Sequence, residues 1–220
     1  MARLKLGVLI SGRGSNLQSL IEACAEADYP AEIVLAISNE PEAPGLERAR
    51  RAGIRAEIVD HRDFSGREAF ERALDRALAG ADAGLVCLAG FMRLLTPWFV
   101  ERWNDRLINI HPSLLPAFPG LDTHARALAA GVRIAGCTVH FVRAEMDRGP
   151  IVVQAAVAVE DGDDAAGLAA RVLAAEHRCL PLAVRLIAEG RVRVAGERCE
   201  IAGAAEPPPP LISPSPSGCG

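Results

Sequence analysis

The stretch LKLGVLISGRGSNLQSLI, residues 4–21, predicts the beginning of an α/β fold. Its first part, residues 4–10, is an apolar run that stops before Gly12 and Gly14, two glycines that permit a tight turn. From Asn16 onward, apolar residues recur at helical spacing. An apolar strand that turns directly into a helix is typical of a mostly parallel sheet covered on both faces.

The same alternation of strands and helices continues along the first half of the chain and becomes less regular in the second half. It predicts an open, mostly parallel, twisted sheet of Rossmann-like type, with helices on both faces and antiparallel additions in the C-terminal half. We expect Ser65 to cap the third helix and Pro181 to bend or end the last one. The predicted strands are 4–10, 33–38, 57–59, 83–88, 107–110, 136–142, 151–159 and 191–194, and the predicted helices are 16–27, 45–52, 65–79, 123–130 and 165–188.

Composition and charge exclude several classes of protein. The net charge is −4, whereas a general nucleic-acid surface shows a basic excess. No apolar run reaches the length of about 18 residues that a membrane span needs, and the N-terminal run breaks too early for a secretory signal. The 6 cysteines include no CxxC pair, so we expect reduced thiols, no disulfide framework and a cytoplasmic protein.

The length of 220 residues suits one large domain or two small ones. Residues 204–220 contain six of the 15 prolines and almost no charge, which is typical of a disordered or polyproline-like segment. We therefore expect a single folded domain over 1–203, followed by a disordered Pro-rich tail over 204–220.

The motif SGRGSN, residues 11–16, lies between the first predicted strand and the first predicted helix. Its glycines allow an anion to approach backbone N–H groups, and a helix N-terminus favours negative charge. Leu17 replaces the third glycine of GxGxxG, and no Gly-Lys-Ser/Thr follows, so neither a dinucleotide nor a nucleoside triphosphate is indicated. The pattern predicts a site for a single phosphate group, with an ordinary strand-to-helix turn as the alternative.

Asn109 and His111 occupy alternate positions in the motif NIHPSLLP, residues 109–116, where a predicted strand ends. Residues two apart on a strand point to the same side, and open α/β sheets bind their ligands at the carboxyl ends of strands. An amide can stabilise an oxyanion and an imidazole can transfer protons near neutral pH. The pair therefore predicts carbonyl chemistry, with a purely structural histidine as the alternative.

Asp147 lies in EMDRGP, residues 145–150, between two apolar strands. An aspartate there can hydrogen-bond an imidazole, although taken alone the motif is more typical of a turn. The remaining histidines are weaker candidates, because no two have HExxH spacing and none forms a cluster with cysteines. We therefore predict no metal site. These remaining histidines are His61, His124, His140 and His177.

Five segments together resemble the folate-dependent phosphoribosylglycinamide formyltransferases, the GAR transformylase family. They are LISGRGSNLQSLI, LAGFMRLLTPWFV, LINIHPSLLPAFPGLDTH, CTVHFVRAEMDRGPIVVQ and AEHRCLPL, collinear over about residues 4–195. The resemblance implies a formyltransferase fold and transfer of a formyl group from 10-formyltetrahydrofolate to the amine of glycinamide ribonucleotide, in de novo purine biosynthesis. We expect these two small molecules as partners, no nucleic acid, no membrane and no metal, and a monomer or weak homodimer.

The resemblance implies a role for each matching position. The catalytic residues would be Asn109, His111 and Asp147. The phosphate and ribonucleotide of the substrate would be held by Gly14, Ser15, Asn16 and Glu176. The folate would be held by Arg67, Met92, Arg93, Leu94, Leu95, Asn109, Arg143, Ala144, Glu145, Met146 and Asp147. Residues 1–103 would then form the phosphate- and nucleotide-binding half, and 104–203 the folate-binding and catalytic half.

The chain departs from the family pattern just before the Glu-His pair, where members often carry glutamines and this chain has Leu173, Ala174 and Ala175. A phosphate or sugar contact from a glutamine side chain is therefore not expected there. Two alternatives share the same core: a formyltetrahydrofolate hydrolase and another formyl-folate-dependent transferase. A non-catalytic phosphate-binding module is the alternative from a different class.

Overall fold

The structure is a computed structural model that describes residues 2–204 and 210–214. Its strands are β1 (Leu4–Ile10), β2 (Ala31–Ser38), β3 (Ala56–Ile58), β4 (Leu85–Leu88), β5 (Leu107–His111), β6 (Ile134–Phe141), β7 (Ile151–Ala158), β8 (Val192–Ala195) and β9 (Arg198–Ile201). Its helices are α1 (Ser15–Ala25), α2 (Pro44–Arg51), α3 (Arg67–Gly80), α4 (Pro97–Arg102), α5 (Thr123–Ala129) and α6 (Ala165–Ala188), with one 3₁₀ turn at His61–Asp63. Within these described ranges, no helix has both the length and the apolar character of a membrane crossing.

The first seven strands form one sheet in the order β3-β2-β1-β4-β5-β6-β7, and β8 pairs with β9 separately. Strands β1 to β5 run parallel, whereas β6 and β7 join antiparallel to their neighbours. The chain moves outward from β1 to β3 and then returns to β4 on the other side of β1. The predicted fold class is confirmed, and this reversal creates a switch point at which the carboxyl ends of β1 and β4 open a crevice.

Alternate residues of β1 fill the two layers of the core. Val8 packs in a cluster that also holds Leu17 of α1 and Leu180 of α6. Leu9, the next residue, packs in a second cluster with Leu74 of α3 and Phe99 of α4. Because successive side chains of a strand point to opposite faces, an unbroken apolar strand is what a sheet covered on both sides requires.

One expectation about a helix end is wrong, and one is narrowed. Gly66, rather than Ser65, precedes α3, and no side chain caps that helix, so Ser65 lies one residue too early to act as the cap. Pro181 does not end α6, which runs to Ala188 over the predicted range, and a bend at Pro181 stays a prediction. Leu180 and Val184 on either side of the proline are completely buried, and this packing outweighs the hydrogen bond that the proline removes.

Only part of the predicted C-terminal tail lies among the described residues. Residues 205–209 and 215–220, which make up most of the predicted disordered tail, lie outside the described residues. The division into a domain over 1–203 and a tail stays a prediction. The described chain does show two elements that the sequence pattern did not indicate, the short helix α4 and the strand β9.

Replacing Gly136 by alanine should destabilise the protein by about 2 kcal/mol, because overpacking in a core costs about 1–3 kcal/mol. Gly136 lies in β6, and an added Cβ would overlap the carbonyl oxygen of Ala155 on β7 and lie 2.9 Å from Cδ2 of Leu114. Urea unfolding measures this effect. Gly80→Ala is the matched control, since a Cβ at Gly80 meets no atom within 4 Å. Equal midpoints for the two variants would contradict the prediction.

Candidate active site

Ser11 connects the loops that follow three neighbouring strands at the carboxyl edge of the sheet. Its backbone N–H donates to the carbonyl oxygen of Gly90, just after β4, at 3.1 Å. Its hydroxyl accepts from the N–H of Met92 at 2.7 Å and donates to Oδ1 of Asn39, just after β2, at 2.5 Å. The loops after β1, β2 and β4 therefore form one connected surface at the switch point.

The turn from β1 into α1 leaves the helix N-terminus open. Gly14 has φ 69°, in the left-handed region, and an added Cβ would lie 2.6 Å from Cα of Gly45 on α2. The Gly45 N–H donates to the Gly12 carbonyl oxygen at 3.0 Å, so the turn lies directly against α2. No side chain caps α1, and its first N–H groups therefore stay free to bind an anion.

Asn16 and Glu176 meet beside this turn, although they come from opposite ends of the chain. Asn16 Nδ2 donates to Glu176 Oε2 at 2.7 Å, and both side chains are buried. Burial raises the pKa of the Glu176 carboxyl, while the hydrogen bond from Asn16 lowers it. Oδ1 of Asn16 is also buried but has no hydrogen-bond partner among the described residues. Such an atom costs about 1–3 kcal/mol unless a donor binds it, so a ligand hydroxyl or N–H fits here.

His111 lies between two acceptors at the end of β5. Its Nδ1 is 3.5 Å from Oδ2 of Asp147, and its Nε2 donates to the carbonyl oxygen of Phe118 at 3.1 Å. Asp147 is itself held by the N–H of Gly120, which donates to Oδ2 at 2.8 Å. A carboxylate and a carbonyl can only accept, so the arrangement suits an imidazole protonated on both nitrogens. Asn109 lies two residues earlier on the same face of the strand.

His140 belongs to this cluster, although the spacing of the histidines made it a weaker candidate. It lies opposite Asn109 in the antiparallel pair of β5 and β6. Its Nδ1 donates to the carbonyl oxygen of Phe141 at 2.9 Å, so its Nε2 can accept from Asn109 Nδ2, 3.4 Å away. Nε2 also lies 3.8 Å from Oδ1 of Asp147. Burial lowers the pKa of His140, which favours the neutral ring that this acceptor role requires.

The loop after β4 presents apolar side chains to solvent. Met92 is 68% exposed and Leu94 is 59% exposed, which is unusual for large apolar residues close to a polar site. The loop is anchored by the buried carboxylate of Glu71, which accepts from the N–H of Thr96 at 2.7 Å. The exposed side chains offer a flat apolar surface to an aromatic ligand. The two other predicted folate residues of this loop, Arg93 and Leu95, are half-buried.

The segment 143–147 contains Asp147 and lies beside His111 and His140. Asp147 has φ 56° and turns its carboxylate inward, whereas the side chains of Ala144, Glu145 and Met146 are exposed. Arg143 is already paired with Asp105 at 2.6 Å, so its side chain is less available to a ligand than predicted.

Arg67 is the predicted folate residue furthest from the cluster in the sequence, and it is exposed at the start of α3. No described carboxylate pairs with Arg67 or Arg93, which leaves both available to a carboxylate of a ligand. Over the described ranges, no three histidine, cysteine, aspartate or glutamate side chains converge as a metal site.

Comparison with known proteins gives consistent matches. Residues 4–184 match the formyl transferase family. The phosphoribosylglycinamide formyltransferase of Escherichia coli strain K12 is 43% identical over 205 residues, which are 93% of this chain and 97% of that protein. The crystal structure of glycinamide ribonucleotide transformylase 1 from Symbiobacterium toebii has a TM-score of 0.89 and 49% identity, covering 90% of this chain and 94% of that one.

A larger relative contains the same unit. The trifunctional purine biosynthetic protein adenosine-3 of Gallus gallus is 48% identical over 199 residues, which are 90% of this chain. The matched part is 20% of that protein, so the chain spans about a fifth of the length of this relative.

Replacing His140 by glutamine should weaken the dependence of stability on pH. The unfolded chain takes up a proton at each histidine near pH ~6.5, whereas buried His140 takes one up only at lower pH. The free energy of unfolding should therefore fall as the pH drops below about 6.5, and it should fall less in the variant. Urea unfolding of both proteins across this range measures the difference. Parallel curves would contradict the prediction.

Proposed function

The chain belongs to the formyl transferase family, and from this membership we propose that it is a phosphoribosylglycinamide formyltransferase. It transfers the formyl group of 10-formyltetrahydrofolate to the amine of glycinamide ribonucleotide, in de novo purine biosynthesis. The observation that carries this proposal is the position of His111 between Asp147, at 3.5 Å, and the Phe118 carbonyl oxygen. This group lies on the same sheet edge as a turn suited to a phosphate.

The proposed reaction begins when the substrate amine attacks the formyl carbon on N10 of the folate. A new C–N bond forms and the formyl oxygen becomes an oxyanion. Asn109 Nδ2 has two hydrogens, of which His140 accepts one, and the other is free for this oxyanion. The Nε2–H of His111 joins it when the oxyanion replaces the Phe118 carbonyl oxygen as its acceptor. Preorganised donors of this kind each contribute about 10²–10³ in rate.

Collapse of the intermediate breaks the bond from the formyl carbon to N10. A proton leaves the former amine and a proton reaches N10, so that formylglycinamide ribonucleotide and tetrahydrofolate are the products. Asp147 keeps His111 oriented, and it accepts and returns the proton in this transfer. The Gly120 N–H, 2.8 Å from Oδ2, holds the aspartate in place during both steps.

The two substrates occupy neighbouring parts of the crevice in this proposal. Gly14, Ser15 and Asn16 bind the ribonucleotide phosphate at the N-terminus of α1, and Glu176 binds a donor group of the same substrate. The folate ring system lies against the loop 92–95 and the segment 143–147, with Arg67 and Arg93 near its carboxylates. The exposed Met92 and Leu94 support this placement because ligand binding would cover them.

Asp147→Asn should lower kcat by about 10² or more, since the amide cannot accept and return a proton. The fold should survive, because asparagine tolerates the left-handed φ of 56° at this position. Asp82→Asn is a matched control, with the same φ of 56° on the surface. Tetrahydrofolate release, followed by absorbance, measures the rates. Normal turnover in Asp147→Asn would refute the assignment of Asp147, and His111→Ala tests its neighbour in the same way.

Omitting the acceptor separates the proposed enzyme from its alternatives. Tetrahydrofolate release that requires glycinamide ribonucleotide is the expected result. Release without the acceptor would instead identify a formyltetrahydrofolate hydrolase. No release under either condition, with ribonucleotide binding retained, would identify a non-catalytic binding module.

In this proposal the folded domain ends at residue 203 and the tail is dispensable. Arg191 donates to the carbonyl oxygens of Ala202 at 2.8 Å and Gly203 at 2.6 Å, which supports a folded domain that ends at residue 203. A chain that stops at Gly203 should keep full activity and the same urea midpoint. Loss of activity would contradict a dispensable tail. We place the protein in the cytoplasm, and size-exclusion chromatography should show a monomer or weak homodimer.

A further inference from the structure

We propose that Arg48 of α2 is a positioning residue for the phosphate of the ribonucleotide substrate, an inference that rests on the proposed function. Its Nε–H donates to the carbonyl oxygen of Arg13 at 2.9 Å, and its Nη1 lies 3.4 Å from Oε1 of Gln18 on α1. The guanidinium thus joins α2 to the turn and to the first helix. Its role is to hold the turn in the conformation that binds an anion.

Arg48 fixes the orientation of the peptide between Arg13 and Gly14. In a trans peptide the C=O and the N–H point in opposite directions. Because the Arg13 carbonyl oxygen faces Arg48, the Gly14 N–H points away from Arg48. This N–H has no acceptor among the described residues. Arg48 therefore keeps the Gly14 N–H turned toward the ligand. It also prevents a rotation of the peptide that would point the Arg13 carbonyl oxygen at a phosphate.

Asn16 indicates which kind of ligand fits this turn. Asn16, the second residue of α1, is 7% exposed, and its Oδ1 is buried without a hydrogen-bond partner. An unsatisfied acceptor directly after the open N-terminus indicates that a ligand with both an anionic group and a donor binds here. A ribose phosphate carries both groups, because its hydroxyls can donate to Oδ1 while its phosphate accepts from the backbone.

Arg48 also brings a positive charge to the turn. Glu176 is the residue of α6 that reaches the turn, and Leu173, one helical turn before it on the same face, is apolar. Ala174 and Ala175 are uncharged as well, so this stretch of α6 brings no cation to a dianionic phosphate. Arg48 has no described carboxylate partner, and its full positive charge therefore remains beside the turn. Arg51, by contrast, is paired with Glu47 at 2.9 Å on the outer surface of α2.

The test compares Arg48→Ala with Arg51→Ala. For Arg48→Ala, the KM for glycinamide ribonucleotide should rise about tenfold or more, since a hydrogen bond from a charged group and its orientation are lost. The kcat and the KM for 10-formyltetrahydrofolate should stay within about twofold of the wild-type values. Arg51→Ala should change none of these constants. An unchanged KM for the ribonucleotide in Arg48→Ala would overturn the proposal.

A second substrate separates a phosphate role from a general structural one. With glycinamide riboside, which lacks the phosphate, Arg48→Ala and the wild-type protein should have equal kcat/KM. An equal loss on both substrates would overturn the proposal. Arg48→Lys, which keeps the charge but lacks the Nε–H, should recover only part of the affinity for the ribonucleotide. Complete recovery would show that charge alone acts and would overturn the role assigned to the peptide.

Inorganic phosphate tests the same site without the reaction. Calorimetry should show weaker phosphate binding by Arg48→Ala than by the wild-type protein and by Arg51→Ala, with urea unfolding as the check that all three are folded. If Arg48→Ala does not fold, Arg48→Gln is used instead. Failure of the wild-type protein to turn over glycinamide ribonucleotide would refute the proposed function, whereas equal phosphate affinities in the three proteins would refute only the role of Arg48.

Discussion

The parallel alignment of β1, β4 and β5 is the constraint on which the candidate site depends. Because these strands point the same way, the turn after β1, the loop after β4 and the end of β5 all open on one edge of the sheet. Ser11, in the turn after β1, bonds directly to the loop after β4, through the N–H of Met92 at 2.7 Å and the carbonyl oxygen of Gly90 at 3.1 Å. The proposed phosphate turn, an apolar loop and a histidine thus become neighbours without any long insertion.

The antiparallel addition of β6 gives the site its second histidine. A parallel neighbour would require a crossover, whereas β6 returns beside β5 and places His140 opposite Asn109. The two histidines then have different environments. His111 faces a carboxylate and a carbonyl, while burial lowers the pKa of His140 and leaves its Nε2 as an acceptor. The two imidazoles therefore differ in their hydrogen-bond partners, and Nε2 of His140 is the ring nitrogen left as an acceptor.

At the proposed phosphate end of the crevice, the hydrogen-bond network of the free protein is incomplete. Three features meet where β1 turns into α1: a buried amide oxygen with no partner among the described residues, an uncapped helix, and an arginine of α2 bonded to a backbone carbonyl. In the proposed complex, a phosphate ester with hydroxyl groups would donate to the amide oxygen and accept from the helix N-terminus. Binding energy at this end can then hold the reacting amine in place at the other end.

Local sequence by itself determined the strand and helix pattern except α4 and β9, the turn at SGRGSN and the same-side placement of Asn109 and His111, because periodicity and turn chemistry act over a few residues. Only the tertiary structure decided that Asn16 meets Glu176, 160 residues away, and that His140 pairs with Asn109 across 31 residues. Sheet order and register join distant residues, and no local pattern encodes which residues will face each other.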